Sequence, residues 1–91
     1  MAFEWDRNKN EANADKHGIS FDEAQYAFFD HNRLILKDEK HSVEEERFFC
    51  IGVVNSKICT VRFTHRENAI RIFGASYWRE GRMLYEKRNN I

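Results

Sequence analysis

Three short runs set cations and rings on alternating positions: Arg47-Phe48-Phe49, Arg62-Phe63-Thr64-His65-Arg66 and Arg71-Ile72-Phe73. Alternate side chains of an extended chain share a face, so each run can present arginine beside phenylalanine or threonine. That mixture suits single-stranded RNA, whose phosphates meet cations while its bases stack on exposed rings.

The turns between the runs predict how they pair. With Asn55-Ser56 closing a two-residue hairpin, Phe48 lies across from Phe63, Cys50 from Val61, Phe49 from Arg62 and Arg47 from Thr64. A second tight turn at Glu67-Asn68 sets Phe63 opposite Ile72, Thr64 opposite Arg71 and Arg62 opposite Phe73. Both hairpins sort the side chains alike. One face collects Phe48, Cys50, Val61, Phe63 and Ile72, and the other Arg47, Phe49, Arg62, Thr64, Arg71 and Phe73.

At the strand end the same register brings Glu46 opposite His65, with Arg66 next in the chain. A carboxylate beside an imidazole orients the ring, as a general acid requires. RNA can be cut without a metal when a base activates the 2′-hydroxyl, cations hold the developing phosphorane charge and an acid protonates the leaving oxygen. In this scheme Arg62 and Arg71 clamp phosphates, His65 or Tyr77 moves protons, and Arg66 and Arg79 stabilise charge, with Glu46 orienting His65. Arg47, Phe49, Phe73 and Arg82 extend the RNA-binding surface, and Lys16 and His17 are secondary RNA contacts. The same face also suits a module that binds RNA or a protein helix without cutting anything.

Metal and nucleotide chemistry find less support. His17, His31, His41 and His65 show no HxxxH or HxH spacing, so no metal site or other cofactor is expected, and no glycine-rich phosphate loop is present. Cys50 and Cys59 match no zinc or redox spacing and are expected as buried, reduced thiols.

The elements that position these residues carry their own signals. Asp6 caps a helix over residues 7–17 that Gly18 ends. In "ISFDEA", Ser20 and Glu23 form a capping box flanked by Ile19 and Ala24, so a second helix starts at Phe21, with Phe21, Ala24, Gln25 and Phe28 as its buried stripe. Lys16 and His17 sit where cations suit a helix C-terminus. Strands are expected near 33–38, 46–54, 57–65 and 69–75, then a helix over 77–88 in which Gly81 implies close packing or a break.

The chain has 91 residues, 42% hydrophobic and 14% aromatic, enough for one domain over residues 1–91 with a core rich in rings. No apolar run approaches the length of a membrane span, and "MAFEWDRNKN" lacks the core of a signal peptide, so a cytoplasmic location and no membrane partner are expected. Formal charge is zero overall, yet residues 1–56 hold 7 Lys/Arg against 12 Asp/Glu and residues 57–91 hold 8 against 3. An anion-binding surface built late in the chain follows from that asymmetry.

The order of the pieces is that of a known family. "FEWDRNKNEANADKHGISFDEA", "EEERFFCIG", "TVRFTHRENAIRIFGAS" and "REGRMLYEK" resemble the BrnT family of bacterial type II toxins, from Phe3 to about Lys87. The first block is the most specific, through Trp5, Asp6, Lys9, Asn13, Lys16, His17, Gly18, Phe21 and Ala24. The resemblance implies a RelE-like α+β fold, with two N-terminal helices, a four-stranded mainly antiparallel sheet and a C-terminal helix. It also implies an endoribonuclease that arrests growth by cutting RNA. Its partner would be a BrnA-like ribbon-helix-helix antitoxin, with DNA met only through that complex. Family members commonly read Arg-Ile-Ile-Ser-Ala-Arg where this chain reads "RIFGAS", so Gly74 stands at the serine position and Ser76 at the second arginine, with Arg79 about one helical turn on.

Overall fold

Asp6 opens the first helix by accepting from Lys9 N at 2.9 Å, and Gly18, at φ 69°, ends it with its N–H on Ala14 O. The computed structural model describes residues 2–91, and this helix, α1 (Arg7–His17), buries none of its residues. Asparagines dock it instead. Asn10 Oδ1 accepts from Phe21 N at 2.7 Å, while Asn13 donates to Ile19 O and Ala75 O and accepts from Ala75 N.

The capping box is made as expected: Glu23 N donates to Ser20 Oγ at 3.1 Å and Ser20 N to Glu23 Oε1 at 3.0 Å. The helix it starts, α2 (Phe21–Ala24), tightens at once into a 3-10 turn over Gln25–Phe29. Phe21, Ala24 and Ala27 are all fully buried, and their spacing of three residues is the period of that tighter helix.

The sheet is mainly antiparallel as expected, but the count of four strands is corrected. Among the described residues five strands lie in the order β1-β5-β4-β3-β2, namely β1 (Ala2–Glu4), β2 (Leu34–Lys37), β3 (Phe48–Val54), β4 (Lys57–Arg66) and β5 (Ala69–Ser76). β1 runs parallel to β5, making the sheet mixed. Three residues are too few to show an alternation, so β1 left no pattern to read. Among the described residues no strand lies beside the outer edge of β5 beyond Arg71, and the Asn13 amide fills in for one by bonding both backbone groups of Ala75.

The first hairpin has the expected register from Phe48↔Phe63 to Val54↔Lys57, with Asn55 and Ser56 both at positive φ (52° and 66°). The second holds from Arg66↔Ala69 to Phe63↔Ile72 and then slips. A bulge makes Gly74, not Phe73, the partner of Arg62, so Phe73 is the extra residue, with Val61↔Ala75 and Thr60↔Ser76 following.

The helices of the first half cover one face. Cys50, Val61, Phe63, Ile70, Ile72 and Ala75 pack there against Ile19, Phe21, Ala24, Ala27 and Phe28. Phe28 meets Phe63 edge-on at 4.9 Å, and full burial of Phe63 alone is worth about 1.5–3 kcal/mol. Cys50 and Cys59 are free and buried, and loss of solvent pushes both thiols up to about 12.

The last helix, α3 (Arg79–Arg88), starts two residues later than expected and covers part of the opposite face over Ile51 and Thr60. Gly81 marks close packing rather than a break, because a Cβ there would collide with Thr60 Oγ1. Tyr85 fastens the helix by donating to Asp30 Oδ2 at 2.6 Å, and Asp30 also accepts from Val53 N and Asn32 N at 2.9 Å each. Burial opposes ionisation of Asp30, but the hydrogen bonds from Tyr85, Asn32 and Val53, with His31 nearby, outweigh it and hold the carboxyl below its usual 3.8. The stability this contributes is present above 3.8 and is lost as pH falls through the lower folded-state value. Tyr85→Phe should therefore cost about 1.5 kcal/mol near neutrality, and the gap to the parent should narrow towards pH 2 in urea melts. No described helix is long and apolar enough to cross a membrane.

Candidate active site

The sheet face opposite the main core is only partly covered, and a cleft of about 440 Å³ opens where three segments meet above it. Phe49, Thr60, Arg62 and Ser76 come from the strands, Asn13 and His17 from the second half of α1, Asp38, Lys40 and His41 from the chain after β2, and Trp78 from the approach to α3.

A chain of hydrogen bonds holds the segment after β2. Asp38 N donates to Arg47 O at 2.7 Å, Ser42 Oγ donates to Asp38 O at 2.7 Å, and Arg47 N donates to Ser42 Oγ at 2.9 Å. Asp38 is 6% exposed and caps a single 3-10 turn, Glu39–His41. Its Oδ2 lies 2.8 Å from His41 Nδ1. An ionised carboxylate can only accept, so Nδ1 carries the ring proton and Nε2 is the nitrogen left for chemistry.

The cations in the cleft differ from Arg47, Arg66 and Arg71. Arg62 and Lys40 form no ion pair among the described residues, whereas Arg71 binds Glu4 at 2.8 Å and Arg47 and Arg66 share Glu45 at 3.3 and 3.8 Å. Glu4 and Glu45 belong to the acidic part of the chain, so the charge asymmetry along the sequence is partly cancelled in space. Arg62 owes its place to Gly74, since a Cβ there would lie 2.7 Å from its Nε and Nη2.

The expected site residues fall into three groups. Phe49, Arg62 and His17 line the cleft; Lys16, one position away, is exposed and outside it. Arg47 borders a neighbouring hollow with Lys40 and His41. Phe73 shares the face but is no open stacking platform, because the Arg47 and Arg62 guanidinium carbons stand 4.5 and 5.5 Å from its centroid.

Glu46, His65, Arg66 and Arg71 lie at the far end of the sheet. β3 begins only at Phe48, so Glu46 falls outside the ladder and reaches Lys37 at 3.4 Å, while His65 packs edge-on against Phe48 and Phe63 at 5.6 Å each. Tyr77, Arg79 and Arg82 line a separate hollow of about 560 Å³ with Lys57 and Glu86. Thr60, the partner of Ser76, and His65 are five positions apart on β4, roughly 16 Å. One substrate phosphate cannot touch His65 and Tyr77 together, and Arg79 does not supply the cleft with a cation.

Reading the sequence missed Asp38, Lys40, His41 and Trp78. The usable signal was Asp38 three residues before His41, the spacing of a short capped turn. A search for metal-type histidine spacing passes over it, and among the described residues no three His, Cys, Asp or Glu cluster as metal ligands.

A family model described as the ribonuclease toxin, BrnT, of type II toxin–antitoxin system matches residues 5–81, a span that includes every cleft residue and ends at Gly81. The search of curated proteins matches nothing.

Proposed function

Since this chain belongs to the family of BrnT ribonuclease toxins of type II toxin–antitoxin systems, we propose that it cuts single-stranded RNA in this cleft without a metal. The observation that carries the reading is the 2.8 Å contact of His41 with Asp38 in the cleft that Arg62 also lines, an arginine with no acidic partner among the described residues. His41 Nε2 takes the proton of the ribose 2′-hydroxyl as its oxygen bonds to phosphorus. His17, carrying a proton, gives it to the 5′-oxygen as the phosphorus–oxygen bond breaks. Arg62 and Lys40 hold the phosphorane charge, a role worth about 10²–10³ in rate for one well-placed donor.

Arg47 and the residues of the far end continue the surface along which the rest of the strand lies, though their charges are largely matched by Glu4 and Glu45. The partner on this reading is a BrnA-like ribbon-helix-helix antitoxin that carries the DNA contacts, and both act in the cytoplasm. The sheet flanked by helices is taken as a RelE-like layout.

The test is the protein freed of its antitoxin, given single-stranded RNA in excess EDTA. Products ending in a 2′,3′-cyclic phosphate and a 5′-hydroxyl are expected at an unchanged rate. Loss of cleavage in EDTA, restored by a divalent ion, would refute the metal-free scheme, and RNA bound but never cut would make the chain a binding module.

A further inference from the structure

We infer that the cleft admits one unpaired nucleotide, with its base stacked on Trp78 and its phosphate on Arg62. This rests on the ribonuclease reading and adds what the cleft selects. At about 440 Å³ the space is near the lower end for ligand pockets and has no room for a duplex.

Its rings are arranged as a platform. Phe49 and Trp78 are 6.0 Å apart and tilted by 35°, and a base between them would need two stacking steps of about 3.4 Å each. The base therefore lies on the open side of the indole, with Phe49 supporting the other side. Trp78 is 40% exposed although it lines a cleft, so a flat ring can reach it. The indole lies beside the first turn of α3, with Trp78 Cε3 3.5 Å from where a Cβ on Gly81 would stand.

The charges complete the match. A ligand aromatic at one end and anionic at the other satisfies the indole and the unpaired Arg62 and Lys40 together. The remaining ring on this face, Phe73, is already capped by two guanidinium groups. Stacking on one aromatic side chain accounts for about five- to hundredfold in affinity.

Fluorescence separates the outcomes. Trp5 packs against Phe21 at 6.2 Å on the other side of the fold, so in a Trp5→Phe chain Trp78 is the sole tryptophan. Adenosine 3′-monophosphate should quench it saturably, inorganic phosphate should compete, and ribose 5-phosphate should bind without quenching. In the otherwise unaltered chain, Trp78→Leu should raise KM for single-stranded RNA about tenfold and leave kcat within about threefold, and Trp78→Phe should recover most of the loss. RNA with the scissile nucleotide held in a duplex should stay intact. No quenching, together with an unchanged KM in Trp78→Leu, overturns the inference, and cleavage that still depends on His41 then leaves the ribonuclease reading standing. Trp78→Leu that loses antitoxin binding with KM unchanged also overturns it, by making the indole a protein-docking residue.

Discussion

His41→Ala should slow RNA cleavage by about 10²–10⁴, the usual contribution of one positioned acid or base, with little change in melting temperature. The imidazole is about half exposed and its one strong contact is Asp38 Oδ2, so its removal opens no core cavity. Asp38→Asn is the informative companion. Asparagine still caps the turn, but its amide can donate to Nδ1 and leave the proton on Nε2, the nitrogen that must accept from the 2′-hydroxyl. A comparable loss of kcat with normal stability is expected. The opposite result, full activity in His41→Ala and loss in His65→Ala, would move the chemistry to the far end of the sheet.

Gly52→Ala should be the most damaging single methyl in the protein. The added Cβ would collide with Ala27 O and lie 3.1 Å from its carbonyl carbon and 3.2 Å from its Cα, all backbone. Ala27 cannot step aside, because it sits in the 3-10 turn and its carbonyl accepts from Asp30 N. Overpacking against such a wall costs about 3 kcal/mol, which for a domain of this size lowers the melting temperature by about 12–24 °C. Gly74→Ala makes a useful contrast, since the three atoms nearest its new methyl belong to the Arg62 side chain, which can swing away. Thermal melts should show little change there, while RNA affinity falls because the guanidinium has left the cleft.

What could be read in advance was what local chemistry decides. Asp6, Gly18, the Ser20–Glu23 box and the Asn55-Ser56 turn each act within a few residues, and each is where its side-chain chemistry puts it. Three things resisted. β1 is too short for a pattern, the bulge at Phe73 interrupts an alternation that looks regular in the letters Arg-Ile-Phe, and the 3-10 turn after α2 packs Ala27 against Gly52, which lies in a distant strand.

The cleft itself is the clearest case of that limit. His17, His41 and Arg62 are far apart in the chain and meet only because α1 ends above β5 and the segment after β2 is tied back to Arg47. Arg62 was legible through the first hairpin, whose register is regular. His41 was not, since its use depends on a cleft that no single element contains.

The bulge also governs how this chain must be aligned with its relatives. Up to Ile72 the residues of β5 count in one phase from the Glu67-Asn68 turn, and from Gly74 onward in the other. A relative without the extra residue would, if matched letter by letter, be credited with the wrong side chain at the cleft floor. Substitutions on the two sides of Phe73 should therefore be compared as two separate blocks, each anchored on its own partners in β4.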